Sequence, residues 1–358
     1  MRRTFKVLKV LAVGAIGLAV TAAGGRVPVH QPTVETGLID KAPFRIDVPA
    51  KWNGRLIMLM HGYEPAGMPR HLPWPAAEET KLFVDAGYAV AQSGYRTQGW
   101  AIAEALPDIE RLRDYFVKHH GRPKQTYAIG FSLGGLLALV TAERQANSYA
   151  GALSLCGVNM SGDAVGGLLL RNLAAFDFYF PHVLPKLDAA DAPAMVGQDV
   201  IEAALDKDQN IASRLADALD IRRPALAGAI MLDYLVLQEL RSHAGGFPAD
   251  NQATLYTGFP DDEALNAGIA RYRGSPKAIA YLAANAPLSG NIRVPVVLQS
   301  NADDPTIPPR YGSLYPEAVR HAGKQKLLTV LPRIGHGHCD FSADRTMAAL
   351  TQLVEKTR

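Results

Sequence analysis

Three short stretches of this 358-residue chain carry side chains whose types and spacing suit covalent chemistry. The first is Gly130-Phe131-Ser132-Leu133-Gly134-Gly135, an oxygen nucleophile set among glycines. A serine hydroxyl is a weak nucleophile at its ordinary pKa. It needs a base to take its proton, and the base needs an acid to orient it. Asp303 and Asp304, in Asn301-Ala302-Asp303-Asp304-Pro305-Thr306-Ile307-Pro308, are candidate acids. His336 and His338, in Gly335-His336-Gly337-His338-Cys339-Asp340-Phe341, are candidate bases. The competing reading of the first stretch is a glycine-rich helix start with a capping serine. The histidine stretch also invites a metal reading, but His-x-His-Cys-Asp on a loop is not a standard zinc spacing, and no metal is expected.

To present Ser132, a strand has to deliver it and a helix has to carry the chain away. Gln125 to Ile129 reads as that strand and Leu133 to Arg144 as that helix. Small residues at 130 and 134 let the two backbones pass closely, where side chains would collide. The turn lifts the serine hydroxyl above the sheet. It also aims the Leu133 N–H, at the helix N-terminus, toward a developing oxyanion.

The surrounding elements follow one rhythm. Arg55 to Met60 is a nearly continuous apolar run, as in a strand buried on both faces. Phe44 to Val48 alternates and ends at Pro49, which suggests an edge strand. Val27 to Gly37 reads as a linker. Tyr88 to Ala91, Ala150 to Leu155, Val294 to Gln299 and Lys326 to Leu331 read as further strands. Helical patterns cover Ala77 to Ala86, Trp100 to His120, Arg310 to His321 and Ser342 to Lys356; Pro107 predicts a kink or two helices in succession. The alternation implies an α/β fold with a mostly parallel sheet and helices on both faces. From Asn159 to Pro287 the rhythm breaks into helices, among them Ile201 to Leu219 and Arg223 to Arg241. The expected division is therefore a first core part at 25–158, a helical insert at 159–287 and a second core part at 288–358.

The net charge of +3 is too small to suggest a nucleic-acid partner. Arg2, Arg3, Lys6 and Lys9 precede an apolar run from Val10 to Ala23, followed by small residues. This is the pattern of an export signal over residues 1–24, and the run is short for a membrane span, so no stable membrane anchor is expected. A periplasmic or secreted protein follows from it.

Met60-His61-Gly62-Tyr63, the Ser132 stretch, the Asp304-Pro305 turn, the histidine loop and the final helix, in this chain order, resemble the α/β-hydrolase superfamily over residues 40–355 outside the insert. The resemblance implies an acid before Pro-x-x-Pro, which is Asp304 by ungapped spacing from the strand. Ser300-Asn301 stands where the family has His-Gly, and this leaves Asp303 as the alternative. Spacing from the last strand favours His336 as base, whereas Gly337-His338-Cys339-Asp340-Phe341 resembles a group of exported esterases and favours His338. His338 is chosen, with His336 as the alternative. The Tyr63 N–H would complete the oxyanion hole with that of Leu133, and His61 would be structural. The insert falls where the family carries a cap over the nucleophile. Cys156 and Cys339, the two cysteines of the chain, would open on the same sheet edge and could form a disulfide. The implied activity is cleavage of a carboxylic ester, on a small molecule or a polymer, through an acyl-enzyme and without a cofactor. A serine peptidase on the same fold and a non-catalytic binding protein are the alternatives. Neither the substrate nor the oligomeric state is legible.

Overall fold

A computed structural model describes residues 31–358. The expected export signal lies outside the described residues. The chain opens with a hairpin, β1 (Thr33–Ile39) and β2 (Ala42–Val48), and continues through β3 (Arg55–Met60), α1 (Thr80–Asp85), β4 (Ala89–Ser93), α2 (Ile102–His120), β5 (Gln125–Phe131), α3 (Leu133–Arg144) and β6 (Gly151–Leu155). Six helices follow: α4 (Gly162–Tyr179), α5 (Gln198–Leu205), α6 (Gln209–Leu219), α7 (Leu226–Ala244), α8 (Asp262–Gly268) and α9 (Pro276–Asn285). The chain then returns to the sheet with β7 (Val296–Gln299), α10 (Leu314–His321), β8 (Leu328–Val330) and α11 (Ala343–Lys356).

The eight strands form one sheet in the order β1-β2-β4-β3-β5-β6-β7-β8. The pairs β1/β2 and β2/β4 are antiparallel; all the others are parallel. The continuous apolar sequence of the central strands has a simple cause: both of their faces are covered. Ile57, Leu59, Tyr127, Ile129 and Leu153 point to one side, where they pack with Phe83 of α1 and Leu350 and Leu353 of α11. Leu56, Met58, Met60 and Ala128 point to the other, toward Leu112 and Phe116 of α2 and Leu136 and Leu139 of α3.

Four local expectations need correction. The segment read as a linker contributes β1, an edge strand with Val34 and Leu38 largely exposed. With β1 outside it, β2 is an inner strand and not an edge. Pro107 sits inside one helix, α2, without dividing it. The buried stripe Ile102, Ala105, Ile109, Leu112, Phe116 runs through the proline position, so packing on the sheet holds the helix together despite the lost amide bond. Ile201 to Leu219 is two helices, because Asp208 ends the polar break and caps α6 by accepting the Ile211 N–H at 2.9 Å.

Candidate active site

Ser132 stands between β5 and α3 with φ 55° and ψ −121°, a conformation that L side chains rarely adopt. The fold tolerates it because the backbones around it are packed very closely. A Cβ on Gly130 would overlap the Gly134 carbonyl, and one on Gly134 would overlap the Met60 carbonyl. Gly62 is less tightly held: a Cβ there would stand 3.2 Å from that of Ser132. The serine backbone is pinned on both sides. Its N–H donates to Leu155 O at 3.1 Å, and its carbonyl accepts from Gly135 N at 2.9 Å and Val158 N at 3.2 Å.

His338 reaches Ser132 from the loop after β8, with Nε2 2.8 Å from Ser132 Oγ. Its Nδ1 lies 2.7 Å from Asp304 Oδ2. An ionised carboxylate only accepts, so Nδ1 carries the proton and Nε2 offers its lone pair to the serine hydroxyl. Asp304 is buried, and its other oxygen accepts the N–H groups of Thr306 at 2.8 Å and Ile307 at 3.0 Å. These bonds, two and three residues on, make Asp304 the head of an Asx-type turn in which Pro305 has no N–H to satisfy.

The other two candidates pair with each other. His336 is exposed, and its Nδ1 lies 3.1 Å from Asp303 Oδ2. Asp303 Oδ1 accepts the Gly337 N–H at 2.9 Å, and Arg222 Nε donates to Oδ2 at 2.8 Å. The Gly337 N–H first, then His336 and Arg222, hold the Asp303 carboxyl below its ordinary pKa. Arg222 comes from the turn after α6. It fastens the helical segment to the acid loop, together with Asp220, which accepts the Arg310 N–H at 2.9 Å.

Two backbone donors flank the serine. Leu133 opens α3 and has no acceptor within its helix. Among the described residues, the Tyr63 N–H has no acceptor either. The turn that carries Tyr63 is braced by His61, whose Nδ1–H donates to Gly62 O at 2.8 Å and whose ring stacks on Tyr95 at 4.0 Å. Burial pushes the His61 pKa down to about 4, so the ring is neutral and suited to this one-donor role. Beyond the turn, Glu239 of α7 accepts the Ala66 N–H at 2.8 Å.

Cys156 and Cys339 are bonded to each other, with Cα atoms 5.1 Å apart. Although both lie close to His338, sulfurs committed to one another offer no thiolate to a metal. Sequence reasoning passed over Asn301, noticed only as a departure from a family pattern. This buried side chain donates to Ile334 O at 3.0 Å and Asp340 O at 3.1 Å, and accepts the Cys339 N–H at 3.0 Å. It thereby holds the loop that carries His338.

Residues 87–341, most of the chain, match the sequence pattern of the alpha/beta hydrolase fold family. The chain belongs to the α/β-hydrolase family. No match is found among curated proteins. Solved structures similar to this α/β-hydrolase include Pyrococcus horikoshii acylaminoacyl peptidase, at TM-score 0.48 and 12% identity over 91% of this chain and 41% of that one. An esterase from Pyrococcus furiosus aligns at TM-score 0.46 and 12% identity, over 93% of this chain and 96% of that one. An arylesterase aligns at TM-score 0.44 and 14% identity, over 93% and 84%. The chain thus spans about two fifths of the length of the acylaminoacyl peptidase.

Ser132, Leu133, Tyr63 and His338 all border one cavity of about 490 Å³. Its far wall comes from the helical segment: Val165, Leu168 and Leu169 of α4 and Leu232, Asp233 and Val236 of α7. Spacings of three and four residues, 165 to 168 and 169 on α4 and 232 and 233 to 236 on α7, place these side chains on one face of each helix. Among the described residues, no helix is long and apolar enough to cross a membrane.

Proposed function

We propose that this α/β-hydrolase cleaves carboxylic esters through an acyl-serine intermediate. The observation that carries the proposal is the hydrogen-bonded line Asp304–His338–Ser132 opening on an apolar cavity. Asp304 holds the His338 ring in the tautomer that leaves Nε2 free. Nε2 takes the Ser132 proton as Oγ attacks the ester carbonyl. The N–H groups of Tyr63 and Leu133 stabilise the oxyanion of the tetrahedral intermediate. As it collapses, the imidazolium returns the proton to the leaving alkoxide. A water molecule, deprotonated by the same nitrogen, then attacks the acyl-serine and releases the acid.

Each assigned residue type fits its part, and no cofactor enters the cycle. The helical segment between β6 and β7 serves as a cap that shapes the pocket. Its apolar lining supports an acyl or alcohol group of hydrocarbon character. Esters are favoured over amides because an alkoxide leaves with less protonation than an amine needs. The bonded cysteine pair, and the basic and apolar N-terminus, support an exported protein acting outside the cytoplasm.

The test is labelling with a fluorophosphonate probe, followed by turnover of aryl esters beside aminoacyl amides. Labelling at Ser132, lost in Ser132→Ala, together with faster ester turnover is the expected result. Folded protein that takes no label would sink the hydrolase assignment, and a consistent amide preference would move it to the peptidases.

A further inference from the structure

Asp233 is an anomaly in the cavity wall. It is a carboxyl 6% exposed, set among Leu168, Leu169, Leu232 and Val236, and it borders the same space as Ser132. One of its oxygens, Oδ2, accepts from Asn172 Nδ2 at 2.8 Å, and Asn172 is itself buried. Among the described residues, this is the one hydrogen bond the carboxyl accepts, which leaves Oδ1 without a protein partner in a side chain that borders the cavity. No Lys, Arg or His among the described residues forms an ion pair with it. A buried carboxyl with neither a cation nor a second hydrogen bond costs stability, and an apolar residue of similar volume would avoid that cost.

Asn172 shows that the carboxyl is built into the wall. It sits on the pocket-facing stripe of α4, seven positions after Val165. From there it spends its amide on orienting Asp233. One oxygen is thus fixed by the protein, while the other takes no hydrogen bond from it in a residue that lines the cavity. Burial pushes the Asp233 pKa up to about 7, against which the Asn172 hydrogen bond acts. Near neutrality the group can therefore give or accept a proton in a hydrogen bond.

We infer that Asp233 is a specificity-determining residue, whose free carboxyl oxygen binds a hydrogen-bond donor, a hydroxyl or a protonated amine, on an otherwise apolar substrate chain. The inference rests on the acyl-serine reading of Ser132. A site built to hydrogen-bond a substrate group discriminates strongly against the analogue lacking it, because its own buried polar atom is then left unpaired. The apolar neighbours grip the hydrocarbon part of the chain; Asp233 selects what that chain carries.

The experiment measures Ser132 labelling rates with three fluorophosphonates of matched chain length, ending in a methyl, a hydroxyl or an ammonium group. The readout is the ratio of each polar probe to the methyl probe within one protein, which an overall loss of activity does not move. For the wild type, at least one polar probe is expected to lead the methyl probe by about tenfold or more. Asp233→Leu is expected to reverse that order. Asp233→Asn, which keeps the volume and an acceptor oxygen, guards against a leucine variant that does not fold. It is expected to retain part of a hydroxyl preference and to lose an ammonium preference. Which polar probe leads identifies the donor. Equal ratios in wild type and variants, or a methyl preference in the wild type, overturn the inference and leave the acyl-serine reading standing. Failure of all three probes to label folded wild-type protein overturns both.

Discussion

Asn301 grips the residue next to His338: its Oδ1 accepts the Cys339 N–H at 3.0 Å, while its amide nitrogen spans two carbonyls of the same loop. The side chain is 1% exposed, so water cannot replace what a shorter residue would lose. Asn301→Ala should destabilise the protein by about 1–3 kcal/mol. Misplacing the imidazole should also lower kcat for an aryl ester about tenfold to a hundredfold, with KM little changed. A folded variant with wild-type kcat would show that the loop holds His338 without Asn301.

The two His–Asp pairs predict opposite outcomes on mutation. His338→Ala removes the group that touches Ser132 Oγ and should cut kcat by about 10³-fold or more. His336→Ala removes an exposed ring bound to Asp303 and should change kcat by less than about threefold. Turnover of one aryl ester by both variants decides the matter, and comparable losses would contradict the assignment.

Asp233 should make stability depend on pH in an unusual direction. Its folded pKa is raised to about 7 from the ordinary 3.8, so the folded state holds this proton more tightly than the unfolded chain does. Below about pH 4 the proton is bound in both states and the carboxyl has no pH-dependent effect. As pH rises from about 4 to about 7, ionisation costs the folded state progressively, on the order of a few kcal/mol in full. Burial first, and the Asp233 charge to a lesser degree, hold the Tyr311 phenol above its ordinary value of 10, outside the window. His338 also borders the cavity, so unfolding and not turnover is the appropriate readout. In urea titrations, Asp233→Asn should gain on the wild type between pH 5 and pH 8. A constant difference would mean that ionisation of Asp233 is not involved.

The cysteine pair joins the end of β6 to the histidine loop across 183 residues of sequence. In the chain-entropy account, closing so long a loop contributes about 5 kcal/mol. Reduction should lower ester turnover before the fold is lost, because the released loop is the one that carries His338. The check is to follow turnover and far-ultraviolet circular dichroism together during titration with a thiol. Full activity with two free thiols would dismiss the tether.

What could be read from the sequence divides along physical lines. The β5–Ser132–α3 unit was legible because steric overlap at 130 and 134 leaves only glycine, and that constraint is local. The parallel strands were legible because burial on both faces writes an apolar run into each. Strand β1 was missed because it is an edge whose side chains largely face solvent, so pairing with β2 and not composition defines it. The choices between His336 and His338, and between Asp303 and Asp304, were open because a shift of only one or two residues of loop path separates the alternatives. Asn301, Asp233 and Glu239 were illegible as site residues, since each acquires its meaning from a partner at least 38 positions away or on another element.

Helix α7 presents Asp233 to the cavity and, six residues later, Glu239 to the N–H of Ala66, three residues beyond Tyr63. At 1.5 Å per residue the two stand about 9 Å apart on one rigid rod. Pocket shape and oxyanion geometry are therefore not separate modules. Replacing the helical segment between β6 and β7 would remove the Glu239 hydrogen bond to Ala66 as well as the cavity wall, unless the replacement also carries a carboxylate in register with Ala66. The part of the molecule best placed to diversify is thereby tied to the part that must stay fixed.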